Sequence, residues 1–149
     1  MMTIEDYLEK PYWIIDILPK QVTENSRGQY FEIEKYYLEQ PQMDIIYKKF
    51  VNILLKLNCY EDIHVSHDGE EWTMNPSPYK MEAKLLNCLS EKSMLYIHLP
   101  SADTMITISG DETYMTIYHP SEEVLELLKS LTTSEGLFIW KPESSNTII

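Results

Sequence analysis

The alternation of apolar and polar residues is most regular between positions 94 and 118. Successive side chains of a β-strand point to opposite faces of a sheet, so segments 94–99, 104–109 and 113–118 are predicted to be strands. Short turns join them, which favours antiparallel neighbours. The second turn, Ser109-Gly110-Asp111-Glu112, is indicated by Gly110, which tolerates a positive φ, and by Asp111, whose side chain can bond its own backbone. This stretch predicts an antiparallel meander.

A helix and a further strand follow the meander. Pro120 suits the first position of a helix, where its missing N–H costs nothing. Four apolar residues then recur at helical spacing and predict one stripe that packs on the sheet. They are Val124, Leu127, Leu128 and Leu131. Gly136 precedes a short apolar strand at 137–140.

The first half of the chain predicts both element types. Residues 3–10 suit a short helix capped by Thr3. Segments 12–18 and 30–38 alternate like strands, and we expect them to be antiparallel partners joined by a polar loop. Three further elements are a helix at 41–57, a hairpin at 62–67 and 71–74, and a helix at 79–89.

Together these elements predict an α+β fold. We expect a single domain over residues 1–141, with an antiparallel or mixed sheet of about six to eight strands and two main helices packed on it. Residues 142–149 are predicted to be a disordered tail.

Charge is the strongest compositional feature. The net charge of the 149 residues is −12, and residues 59–75 hold five acidic residues and no basic one. Such a surface repels nucleic acid and anionic lipid and favours a basic protein partner. The alternative is that the acidity serves only solubility.

Other features narrow the functional classes. The sequence contains no run of about 18 apolar residues, so we expect no membrane span. Its N-terminus is acidic, which is unlike a secretory signal. Cys59 and Cys88 are expected to be free core thiols of a cytoplasmic protein. With four glycines, a phosphate-binding loop is not expected, and no cofactor is predicted.

The chain contains residue types found in hydrolases and metal sites. Asp62, His64 and Ser66 share one predicted strand face, which we expect to face solvent. Side chains at i and i+2 are parallel and do not converge as a triad requires. An enzyme would use histidines, and it predicts that at least two of them meet in one pocket with a carboxylate. The four histidines are His64, His67, His98 and His119. We predict no catalytic residue and no metal ligand.

Residues 66–72, Ser-His-Asp-Gly-Glu-Glu-Trp, resemble a shortened Asp-box hairpin of sialidase-type propellers. In those families the box is structural and not catalytic. The resemblance covers seven residues and implies a tight hairpin.

The tyrosines of the meander suggest an interface. Tyr114 and Tyr118 share one face of a predicted strand and would lie on the open side of the sheet if a helix covered Met115 and Ile117. The alternative is that a second helix, such as 41–57, covers the tyrosines. Tyrosine and tryptophan are enriched at protein interfaces.

We therefore expect a non-enzymatic, acidic binding domain that engages a basic protein, as an immunity or antitoxin-type protein does. The predicted contacts are Glu70, Glu71, Asp111, Glu112, Tyr114 and Tyr118. Two alternatives are a small hydrolase or metal-dependent enzyme that uses the histidines, and a homo-oligomeric structural protein.

Overall fold

One antiparallel sheet forms the centre of the fold. The computed structural model describes residues 2–142. In this part of the chain the strands are β1 (Tyr12–Asp16), β2 (His64–Ser66), β3 (Thr73–Met74), β4 (Met94–Leu99), β5 (Thr104–Ser109), β6 (Met115–Tyr118) and β7 (Phe138–Trp140). They lie in the order β3-β2-β4-β5-β6-β1-β7, and every neighbouring pair is antiparallel. The predicted tail falls almost entirely outside the described residues.

Five helices accompany the sheet in the described residues. They are α1 (Ile4–Leu8), α2 (Tyr30–Leu38), α3 (Gln42–Leu57), α4 (Pro78–Glu91) and α5 (Glu122–Ser134). The prediction of an α+β fold with a sheet of six to eight strands is confirmed. The expected two main helices are in fact three long ones, because α4, with 14 residues, is comparable with α3 and α5.

The main core lies between one sheet face and helices α3, α4 and α5. Buried strand residues such as Ile97, Ile106 and Ile117 join Phe50 of α3 and Leu128 of α5 in one cluster. The predicted division of each meander strand into two faces is confirmed by this cluster. Burial of these apolar faces is the main force that holds the helices on the sheet.

Helix α5 begins two residues after Pro120, the predicted first helical position. Ser121 is the N-cap, and its side-chain oxygen accepts a hydrogen bond from the Val124 amide at 3.2 Å. The helix begins at Glu122, so Pro120 precedes the cap and is not the first helical residue. The serine side chain accepts a hydrogen bond from an amide of the first turn, and a proline at the N-cap has no side-chain acceptor for this bond.

The prediction of a strand at 30–38 was wrong, because Tyr30–Leu38 forms helix α2. Both edges of β1 are already occupied, by β6 and by β7, so no position beside it is open for another strand. The partly buried residues of α2 recur at helical spacing, at positions 30, 34, 37 and 38, and Tyr37 and Leu38 pack against the core. The Tyr30 hydroxyl donates to Glu34, four residues later, at 3.0 Å.

Gly110 is required for a different reason from the predicted one. The turn does not use the tolerance of glycine for a positive φ, since the described glycines with positive φ are Gly69 and Gly136. Instead, the backbone of Gly110 lies against the end of α4. A Cβ atom at Gly110 would meet the carbonyl oxygen of Cys88 at 2.1 Å.

The opposite sheet face carries the tyrosines of the meander. The alternative in which helix 41–57 covers them was wrong, because α3 packs on the face that holds Met115 and Ile117. Short α1 and the connection between β1 and α2 cover parts of the tyrosine face and leave two cavities. These cavities are the candidate sites.

Candidate functional site

The larger cavity, here called the tyrosine cavity, has a volume of about 770 Å³. Strands β1, β5 and β6 line it on one side, and the connection that follows β1 lines it on another. Five aromatic side chains contribute to its walls: Tyr12, Tyr30, Tyr114, Tyr118 and Trp140. The volume is in the range of small-molecule and side-chain pockets.

The antiparallel register places these aromatic residues together. Tyr12 lies opposite Tyr118, and their ring centroids are 5.6 Å apart. Trp140 of β7 lies opposite Ile14 of β1, and its indole N–H donates to the Leu18 carbonyl oxygen at 3.0 Å. That bond ties β7 to the segment that lines the cavity.

Asp16 is the buried carboxylate of the tyrosine cavity. It is only 8% exposed, and its Oδ1 accepts the amide hydrogen of Ile17 at 2.7 Å. Burial raises the pKa of Asp16 to about 6, although this backbone bond favours the ionised form. The protein therefore keeps a carboxylate in an environment that disfavours its charge.

Two phenols of the tyrosine cavity are bonded to carboxylates. Tyr114 donates its hydroxyl hydrogen to Glu112, and Tyr30 donates to Glu34. Burial, together with the bonded carboxylate, raises the pKa of Tyr30 to about 12 and raises that of Tyr114 as well. Both phenols therefore stay neutral at physiological pH.

The charge balance of the tyrosine cavity is negative. Asp16, Asp111 and Glu112 line it, and Lys20 is the one lysine or arginine among its lining residues. Burial also raises the pKa of Glu112. Carboxylates beside aromatic faces provide a favourable environment for a cationic group.

The smaller cavity, here called the histidine cavity, has a volume of about 510 Å³. His64 and His98 are register partners on β2 and β4, and both line it with ring centroids 6.2 Å apart. Burial and the neighbouring His64 lower the pKa of His98. Asp68 and Glu70 line the same cavity.

Tyr7 of α1 connects this cavity with Asp103. Its hydroxyl donates to the Asp103 carboxylate and lies 3.0 Å from His98 Nε2. Since the single hydroxyl hydrogen goes to Asp103, His98 Nε2 carries a hydrogen and donates to Tyr7. His119 Nδ1 lies 2.8 Å from the Asp103 carbonyl oxygen. The two bonds of Tyr7 attach α1 to β4 and to the turn that follows it.

Replacing Tyr7 with phenylalanine is expected to lower the free energy of unfolding by about 1–2 kcal/mol, since His98 and Asp103 both lose a partner. Tyr7 is 1% exposed, so water does not replace the hydroxyl. Urea unfolding measures the change. The control is Tyr79→Phe, because Tyr79 is 85% exposed. Equal stability of the two variants would show that the bonds contribute nothing.

Ser66 was expected to face solvent with Asp62 and His64, and this was wrong. Ser66 is 2% exposed, and its hydroxyl donates to Asp68 Oδ1 at 3.0 Å and accepts from the Gly69 amide at 2.8 Å. Asp68 Oδ1 also accepts the amides of Glu70 and Glu71, and these bonds lower the pKa of Asp68 to about 2. The segment belongs to a hairpin of β2 and β3, but residues 67–72 form a six-residue loop, so the predicted strands 62–67 and 71–74 are shorter than expected and the turn is not tight.

The six predicted contact residues do not all lie in one cavity. Asp111, Glu112, Tyr114 and Tyr118 line the tyrosine cavity, and Glu70 lines the histidine cavity. Glu71 lines neither of these two cavities and is exposed on the same hairpin. The turn with Glu70 and Glu71 follows β2, and the turn with Asp111 and Glu112 follows β5. Both strands are antiparallel to β4, which lies between them, so they run in the same direction.

The sequence analysis missed the other half of the tyrosine cavity. Asp16 and Trp140 were assigned to strands without a functional role, Tyr30 was placed in a predicted strand that is α2, and Gln21 lay in the predicted polar loop. The available signal was an aspartate inside the otherwise apolar predicted strand 12–18, since charged side chains are seldom buried. Cys59 was also misplaced, because it is exposed while Cys88 is buried.

The histidines meet only in part. His64 and His98 share the histidine cavity, whereas His67 is exposed and does not line it. In residues 2–142, no three histidine, cysteine, aspartate or glutamate side chains are grouped so as to hold a metal ion.

Comparison with family models, curated proteins and solved structures gave no match for this chain. Within the described range, no helix combines the length and the apolar character needed to cross a membrane.

Proposed function

We propose that this protein is a non-enzymatic binding domain that engages a basic protein partner through the sheet face that carries the tyrosine cavity. The single observation that supports this most is the meeting of four predicted contact residues in one acidic, aromatic cavity. An inhibitor of the immunity or antitoxin type, which neutralises a basic partner, would use such a surface.

The physical mechanism has two stages. The net charge of −12 attracts a basic protein over long distances and raises the rate of encounter. Tyrosine and tryptophan side chains then form the short-range contacts, because they bury a large area with few rotatable bonds. The first stage depends on ionic strength, and the second does not.

A capture experiment with the full chain tests this proposal. The immobilised protein is exposed to lysate of its source cells at low and at high salt, and bound proteins are identified by mass spectrometry. We expect one basic protein at low salt and less of it at high salt, since salt screens exposed charges. Capture of no basic protein under either condition contradicts the proposal.

A matched pair of variants shows which face is used. Asp111→Lys reverses an exposed charge at the tyrosine cavity, and Glu126→Lys makes the same change on α5, on the other side of the sheet. We expect Asp111→Lys to lower the recovery of the basic protein about tenfold and Glu126→Lys to preserve it. Equal losses would indicate a general charge effect and would contradict the assignment of the face.

A small hydrolase or metal-dependent enzyme is the second candidate function, because His64 and His98 meet in one cavity with Asp68 and Glu70. The bonds of Tyr7, Asp103 and Asp68 within the fold argue for a structural role of that cavity. Hydrolysis of a chromogenic ester that is abolished by His64→Ala would support the enzyme instead.

A further inference from the structure

We infer that the tyrosine cavity holds one arginine side chain of the partner, with the guanidinium between the aromatic walls and within reach of Asp16 and Glu112. This inference rests on the proposed function, since it names the group that the binding face recognises. It is carried by the cavity's carboxylates, by the unpaired oxygen of Gln21 and by the aromatic lining.

The cavity offers hydrogen-bond acceptors at several points of its wall. Asp16 lies on β1, Glu112 on the turn before β6, and Gln21 on the connection after β1. A guanidinium has five N–H donors in one plane and can serve several acceptors at once. An ammonium group carries three donors on one atom and suits a single cluster of oxygens.

Gln21 supplies an independent indication that a donor is missing. Its Oε1 atom is buried and has no hydrogen-bond partner in the described structure. A buried acceptor without a partner costs free energy, so the fold gains if a donor reaches it.

The aromatic residues favour arginine over lysine. Tyr12 and Tyr118 lie beside each other, and Tyr30, Tyr114 and Trp140 complete the walls. A guanidinium stacks on aromatic faces and is less strongly hydrated than an ammonium, so it enters a partly dehydrated cavity at a lower cost.

Asp16 is the lining residue whose ionised form we expect a bound cation to stabilise most. The carboxylate is 8% exposed and is destabilised by burial, which raises its pKa. A cation beside it favours the ionised form and offsets that cost. Lys20 is the resident cation nearest in sequence, but it is an exposed residue at the cavity wall.

Titration with Nα-acetyl-arginine amide and with Nα-acetyl-lysine amide at pH 7.5 tests the inference. The probe signal is the indole N–H resonance of Trp140, assigned by its loss in Trp140→Phe. We expect the arginine compound to shift this resonance and to bind about tenfold more tightly than the lysine compound, the gain expected of a charge-assisted bidentate contact.

Two variants locate the binding. Glu112→Gln removes a cavity charge and should weaken arginine binding about tenfold, whereas Glu126→Gln removes an exposed charge on α5 and should leave it unchanged. Unfolding curves of both variants confirm that each is folded. Equal binding of the two amides, or no shift of the Trp140 resonance, would overturn the inference.

The outcomes distinguish this inference from the proposed function. Capture of a basic protein that is lost in Asp111→Lys, combined with no arginine binding, overturns only the inference. Arginine binding in the cavity without capture of any basic protein supports the cavity assignment and overturns the proposed function.

Discussion

Replacing Gly110 with alanine is expected to lower the free energy of unfolding by about 3 kcal/mol, because the added methyl group has no space. Its carbon would lie 2.1 Å from the Cys88 carbonyl oxygen and 2.8 Å from the Lys92 Cα atom. Both are backbone atoms at the end of α4 and cannot rotate away. Relief of the clash would also strain the bond from the Gly110 amide to the Ser93 carbonyl oxygen, 2.9 Å long.

Urea unfolding of the purified variant measures this loss. The control is Gly28→Ala, because a Cβ atom at Gly28 meets only the Ser26 hydroxyl oxygen, at 3.4 Å. We expect that variant to be neutral or slightly stabilised, since alanine restricts the unfolded chain. Wild-type stability of Gly110→Ala would show that the α4 end can move.

Replacing Asp16 with asparagine is expected to raise the free energy of unfolding at pH 7.5 by up to about 3 kcal/mol. The pKa of Asp16 is raised from 3.8 to about 6 by burial, so the folded state bears a cost when this side chain is ionised. Asparagine keeps an oxygen to accept the Ile17 amide and carries no charge.

The pH dependence has a definite sign. Asp16 binds its proton more tightly in the folded protein, so the unfolded chain loses this proton first as the pH rises. Asp16 therefore reduces wild-type stability between about pH 4 and pH 6, and the reduction is complete above pH 6. We expect the advantage of Asp16→Asn to be small near pH 4 and full above pH 6.

Thermal or urea unfolding from pH 4 to pH 8 checks this dependence. Glu126→Gln is the control, since Glu126 is exposed and pairs with Lys129 at 3.3 Å on the helix surface; its effect should be small. If Asp16→Asn is less stable than the wild type at pH 7.5, the carboxylate contributes to the fold and not to a ligand site. Stabilisation with loss of arginine binding would show a site that is maintained at the expense of stability.

Much of the architecture was predictable from local sequence. The meander of β4, β5 and β6 depends on a period of two and on short turns, both of which act between residues near in the chain. Helices α3, α4 and α5 follow from apolar stripes at helical spacing. Even the predicted contact residues Tyr114 and Tyr118 were correctly placed on one face, because alternation alone determines which side chains share it.

The helical conformation of residues 30–38 and the need for glycine at position 110 both depend on residues that are distant in the sequence. The alternating pattern of residues 30–38 permits a strand, but β6 and β7 occupy both edges of β1. The need for glycine at position 110 comes from the closeness of the Cys88 carbonyl oxygen. Neither fact can be obtained from a window of a few residues, because each depends on which segments pack together.

The sequence by itself determined the acidic character, the α+β class and which face of the meander strands carries the tyrosines. Only the tertiary structure placed Asp16, Gln21 and Tyr30 beside Glu112 and Trp140 in one cavity. Three of these residues lie in the first 30 positions and two lie beyond position 110, and they meet because β1 inserts between β6 and β7. Hydrophobic periodicity specifies the faces of each element, whereas strand order is set by the packing of all elements at once.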